Sequence, residues 1–147
     1  MMTYRCGQII PMYAYSNEYG TNKNLGGNTQ VTAPYAFDWM QLPTDLSADD
    51  RICWRGAFDN SGNDHGLKIW LASTGAYGTA DQTETFSIPT NSNDDYPVVS
   101  GQITPNSDLI TAAAADKAIR VYVSASQSAA ASGYHVHGMV FWLERRT

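Results

Sequence analysis

The sequence predicts an all-β protein: a single antiparallel β-sandwich, jelly-roll-like, of about eight strands with an N-terminal arm or loop. Three observations predict it. Short runs alternate apolar and polar residues with period two, most clearly ICWRGAF, LKIWL and AIRVYVSA. Turn clusters rich in Pro, Gly and Asn separate the runs. No stretch carries a sustained helical period. The 147 residues suffice for one core, and no repeat or linker divides them, so residues 1–147 read as one domain.

In chain order, Tyr4 to Ile10 is a short mixed run ended by Pro11, and Met12 to Tyr15 fits a second short strand. SNEYGTNKNLGGN follows, polar and Gly/Asn-rich. Residues 1–28 therefore read either as an extended arm tying a subunit to its neighbour or as a surface loop. Thr29 to Ala33 is a strand stopped by Pro34, and Tyr35 to Leu42 alternates around Asp38 and Gln41. Pro43 to Asp50 is a turn region, with Thr44 or Ser47 able to cap a single helical turn. Ile52 to Phe58 is a strand with Ile52, Trp54, Gly56 and Phe58 on one face, and Arg51, Cys53 and Arg55 on the other. After the polar connection DNSGNDHG, alternation resumes with Leu67, Ile69 and Leu71 inward and Lys68 and Trp70 outward. The two runs carry a hairpin signature.

Ser73 to Thr83 is a Gly/Thr/Ala loop, Glu84 to Ile88 a strand ended by Pro89, and Thr90 to Tyr96 a loop. Val98 to Thr104 is a strand between Pro97 and Pro105. Residues 107–117 fit two readings. One is a helix capped at Asn106 or Ser107 and favoured by four alanines. The other is a strand, Asp108 to Thr111, followed by a loop, towards which the neighbouring strands tip the balance. Ile119 to Ala125 sets Ile119, Val121, Val123 and Ala125 against Arg120, Tyr122 and Ser124. In GYHVHGMVFWLERR, uniform alternation sets Tyr134, Val136, Val140 and Trp142 against His135, His137, Met139, Phe141 and Leu143. These last two runs, joined by QSAAASG, suggest an antiparallel pair closing the sandwich.

From Met139 to Leu143 both faces are apolar, so both must be covered. The expected core is Trp54, Phe58, Ile69, Leu71, Val121, Val123, Val140 and Trp142, and Trp142→Ala should then cost about 3–5 kcal/mol. Met139, Phe141 and Leu143 are left to face a partner.

Charged residues make up only 16% of the chain, so Ser, Thr, Asn, Gln, Gly and Tyr must form much of the surface. Such a surface suits a particle-bound or secreted module. The net charge of −5 disfavours nucleic-acid binding, and the basic pair Arg145–Arg146 reads as a solvated strand end. No apolar run is long enough to span a membrane, and the N-terminus lacks a signal-peptide layout. Synthesis in a reducing cytoplasm is therefore expected, whatever the final destination. Cys6 and Cys53 allow at most one bridge, and Cys53 reads as a buried thiol.

His135 and His137 form an H-x-H pair, a spacing used by metal enzymes, and His65 is a conceivable third ligand. The pair resembles part of the cupin motif, but its glycine and glutamate spacings fail here. A histidine pair lining a subunit contact is the plainer reading, and no cofactor is expected. Asp59, Asn60, Asn63 and Asp64 loosely resemble a calcium loop but fit hairpin chemistry better, and Asp94–Asp95 are read in the same way. No G-x-S-x-G, Walker loop or dinucleotide fingerprint is present, so no enzyme activity is expected. Nine tyrosines and the outward Trp70 suit a protein interface, or stacking on a surface glycan.

The segments VVSGQITPNSDLI, AIRVYVSAS and GYHVHGMVFWLER resemble small jelly-roll proteins of bacteriophage particles: capsid decoration (cement) proteins and head-fibre or tail accessory domains. The resemblance implies a non-enzymatic virion protein that is a homo-oligomer, a trimer by analogy, seated on the major capsid protein or another virion protein. Met139, Phe141, Leu143 and Trp70 are the interface candidates. AIRVYVSAS also resembles strands of carbohydrate-binding jelly rolls, which implies a host-attachment module as the alternative. A metal-dependent jelly-roll enzyme is the third reading.

Overall fold

The computed structural model describes residues 4–6, 23–24, 35–60, 66–89, 97–125 and 134–146. Its described strands are β1 (Tyr4–Cys6), β2 (Lys23–Asn24), β3 (Tyr35–Gln41), β4 (Arg51–Asn60), β5 (Leu67–Ala72), β6 (Gln82–Phe86), β7 (Val98–Ile103), β8 (Ala118–Ala125) and β9 (Tyr134–Arg146), with one α-helix among the described residues, α1 (Ser107–Ala114), and a 3-10 turn at Tyr77–Thr79. They form two antiparallel sheets. Sheet 1 runs β1-β9-β4-β7, with β2 also pairing to β9, and sheet 2 runs β3-β8-β5-β6. The pairings β1·β9, β3·β8, β4·β7 and β5·β6 are nested, so the chain is one long hairpin. It is rolled so that β4 also meets β9, and β5 also meets β8. That is the jelly roll.

The nesting corrects two expected pairings. β4 and β5 lie in different sheets, and so do β8 and β9. Neither pair of consecutive strands is therefore hydrogen-bonded as a hairpin. Among the described strands, only β5 and β6 are both consecutive and paired. Residues 4–6 and 23–24 of the expected arm pair with β9 of their own chain. The strands expected at 12–15 and 29–33 lie outside the described residues.

Between the sheets sits one core, with Trp54, Phe58, Ile69, Leu71, Val121 and Val123 buried as expected. Trp54 is 0% exposed and makes edge contacts with Phe58 and Phe86 at 6.1 and 4.9 Å. Its ring lies over Gly101, its partner on β7, where an added Cβ would come within 2.5 Å of Nε1. Only glycine lets the indole lie flat there.

β9 is the main correction. Its register on β4 steps from Ala57↔Gly138 to Phe58↔Val136, so β9 gains one residue at His137. This bulge reverses the alternation: Val136 and Met139, three apart, are both buried. Met139, Phe141 and Leu143 are 4, 1 and 2% exposed and belong to the chain's own core, while Val140 and Trp142 lie half-buried on the outside. The three residues expected to meet a partner are thus covered by sheet 2, and two expected core residues face outward. β3 has a similar shift between Ala36 and Trp39.

Residues 107–114 form a helix and not the strand towards which their neighbours tipped the reading. Asn106 caps it, accepting from the Leu109 N–H at 2.8 Å, and Leu109, Ala112 and Ala113 are buried. Asp116, at φ 56°, ends it with the paired bonds Asp116 N–H to Ala113 O and Lys117 N–H to Ala112 O. The helix carries the chain from β7 to β8 and closes one end of the sandwich. Gln82, 5% exposed, fixes that end: its Nε2 donates to Thr104 O at 2.7 Å, and its Oε1 accepts from Asn106 N–H at 2.9 Å. A buried amide satisfied in this way joins the edge of sheet 2 to the chain leaving sheet 1. Arg145 ties the end of β9 to the β3–β4 turn through Asp45 at 2.9 Å and the buried Asp50 at 3.5 Å.

Candidate functional site: the two outer faces

With the inner faces committed to the core, surface chemistry rests on the outward positions. On sheet 1 the register sets three cross-strand rows: Gln102–Cys53–Trp142, Ser100–Arg55–Val140 and Val98–Ala57–Gly138. Small and β-branched side chains dominate, so this face is flat. Val98 is 55% exposed, and Ala57, Val140 and Trp142 are half-buried. Trp142 donates its indole N–H to Glu144 at 3.1 Å. Cys53 is 1% exposed, as its sequence context suggested. Burial, and then the neighbouring Glu144, push its thiol up from 9.0 to about 12, the reverse of a reactive cysteine. Cys6 pairs with Glu144 on the far side of β9 from Cys53. Two strand spacings of about 4.8 Å each put these residues beyond the roughly 7 Å Cα limit for a disulfide.

On sheet 2 the outward rows are Trp39–Arg120–Ala72, Ala36–Tyr122–Trp70–Thr83 and Ser124–Lys68–Thr85. This face is aromatic and cationic. Residues 73–81 fold back over it. Their base is held by Asp81, which accepts from both the N–H and the hydroxyl of Ser73. Tyr77 stands edge-on to Trp70 and to Tyr122, each at 5.8 Å, and the Tyr122 hydroxyl donates to Gly75 O. Trp70 donates to Ser124 Oγ at 3.2 Å and carries Lys68 Nζ 4.0 Å above its ring. Arg120 lies over Trp39 at 5.3 Å. Gly75, at φ +75°, lets the chain pass against the edge of the Trp39 ring, where a Cβ would meet Cη2 at 2.9 Å. Trp39 remains 44% exposed.

Of the expected site residues, Trp70 faces outward as the alternation implied, half-buried in the aromatic cluster. His135 and His137 sit at and beside the β9 bulge; their side chains, and His65, lie outside the described residues. So do residues 61–65 and 90–96, which carry the polar loops, and the side chains of Asp59 and Asn60. Among the described residues no group of three or more His, Cys, Asp or Glu could hold a metal ion. The sequence reading missed Trp39 and Arg120 as a pair, because the β3 bulge decides which residue of YAFDWM faces out. Comparison with protein-family models, with curated proteins and with solved structures finds no match.

Proposed function

We propose that the protein is a non-enzymatic virion structural protein of the capsid decoration or cement kind, which self-associates, as a trimer in the resemblance, and reinforces a shell built by the major capsid protein. The observation that carries the reading is the outer face of sheet 1: an apolar surface of Val98, Ala57, Val140 and Trp142 around the exposed Arg55, not covered by a further layer of the described chain. This face takes the role first given to Met139, Phe141 and Leu143. A flat sheet face can pack on another sheet at about 10 Å, as the two layers of this sandwich do. The mechanism is mass action, since a protein that binds only the assembled shell stabilises it in proportion to its occupancy.

The test is sedimentation and light scattering of the purified protein, alone and with capsids, beside a Val98→Asp, Val140→Asp double variant. A multimer at micromolar concentration that raises capsid melting temperature supports the reading. The double variant should weaken association at least about tenfold, or about 1.4 kcal/mol. A wild-type monomer that leaves capsids unchanged overturns it. The carbohydrate-binding alternative keeps a specific support in the rings around Trp70 on the opposite face.

A further inference from the structure

We infer that the outer face of sheet 2 binds a carboxylated oligosaccharide, with Trp39 as the stacking platform and Arg120 and Lys68 as the anion-binding groups. The inference is independent of the assembly reading, which rests on the other sheet.

Charge supplies the first argument. The chain carries −5 overall, yet the described outward residues of β3, β8, β5 and β6 include two cations and no carboxylate. Neither cation forms an ion pair among the described residues. Arg120 also keeps its Nε buried without a hydrogen-bond partner. That nitrogen lies out of a ligand's reach, so a carboxylate would meet the guanidinium at its terminal nitrogens. Both cations are instead held over indole rings, which fixes their position before any ligand arrives.

The second argument is shape. Trp39 is the only largely exposed large apolar side chain among the described residues of this face. The other rings are half-buried and locked edge-to-face. A protein contact needs about 800 Å² per partner with an apolar centre, more than one exposed indole provides. A pyranose, with an apolar C–H face and polar edges, matches one ring bordered by hydrogen-bonding groups. Lys68 and Arg120 lie on adjacent strands, four residues out of register, since Arg120 pairs with Ala72. At about 3.3 Å per residue their Cα positions are roughly 13 Å apart along the strands, a span that suits a short oligosaccharide better than one sugar.

The test is titration of the full chain, followed by tryptophan fluorescence and calorimetry. The probes are 3′-sialyllactose and trigalacturonic acid, with lactose and maltotriose as neutral controls. The sialylated and uronate arms distinguish the two sources of a sugar carboxylate. One acidic probe should bind, more weakly as salt is raised, and its neutral control at least about tenfold more weakly. Arg120→Gln should remove that preference, and Trp39→Ala should weaken binding about tenfold or more. Thermal melting checks that both variants are folded; should Trp39→Ala unfold, Arg120→Gln and Lys68→Gln carry the test. No binding of either acidic probe at millimolar concentration overturns the inference. So does binding indifferent to Arg120 and Lys68, or loss of self-association in these variants without loss of sugar binding.

Discussion

Sheet 1 turns Ala57, Val98 and Val140 to the outside, while sheet 2 turns out Trp39, Trp70 and Tyr122 with two stacked cations. Their inner faces are alike, each a dense layer of Ile, Leu, Val and aromatic side chains. Inner faces must fill one shared space, so their composition converges. Outer faces answer only to what meets them. A face of mostly small and β-branched residues around Arg55 and a ridged face of fixed rings are built for different contacts, and the jelly roll holds them back to back. Perturbing one should leave the other intact unless the core between them fails.

The sharpest way to break this picture is to swap inside for outside on β9. Phe141 is 1% exposed between the sheets, and Phe141→Ala should cost about 3–5 kcal/mol. Trp142, next along the strand, is half-buried on the outer face, and Trp142→Ala should cost about 1 kcal/mol. Uniform alternation from Tyr134 orders the two the other way. Chemical denaturation of both variants decides it: if Trp142→Ala is the worse, the bulge at His137 is misplaced, and so is the flat outer face.

That reversal marks the limit of what the sequence reveals. On β4 and β5 the outward residues include Arg51, Arg55 and Lys68, so polarity fixes which side faces water, and the alternation was legible. On β9 both sides from Met139 to Leu143 are apolar, so polarity gives no phase, and one extra residue at His137 settles it. The pairing partners were not legible either. A loop between two strands reads the same whether they pair in one sheet or cross between two. For α1, the Asn106 cap and the alanines spoke for a helix, and the neighbouring strands were the wrong guide, because a sandwich end can be closed by any element that presents Leu109, Ala112 and Ala113 inward. The aromatic face was half legible. Trp70, Tyr122 and Arg120 were all placed outward, but nothing local joins Trp39 to Gly75.

Gly75 offers a finer test of the ridged face. At φ +75°, with the Trp39 ring edge in the path of a Cβ, Gly75→Ala meets both backbone strain and a steric clash. The left-handed conformation alone costs a side-chain-bearing residue about 1–2 kcal/mol. The melting temperature should fall by about 2–8 °C. Trp39 must also shift, so its fluorescence should change while self-association does not. Association that falls in step would mean the two faces are not separate.

The smallest effect at ordinary pH belongs to Cys53, at the centre of the first row on the flat face. Its thiol is held near 12 in the folded chain by burial and by the negative Glu144 beside it, against 9.0 for an ordinary thiol. Below pH 9 both folded and unfolded chains keep the proton, and stability does not depend on this group. Between pH 9 and 12 the unfolded chain gives up a proton that the folded chain retains, so stability falls as pH rises. Other groups titrate in the same range, and the difference between wild type and Cys53→Ala isolates the contribution. The wild type should lose stability more steeply than the variant across that window, and iodoacetamide should modify Cys53 slowly until the protein unfolds. Equal slopes, or fast alkylation of the native chain, would place Cys53 in water. The row Gln102–Cys53–Trp142 would then be open at its centre, and sheet 1 would lose the closed surface that distinguishes it from sheet 2.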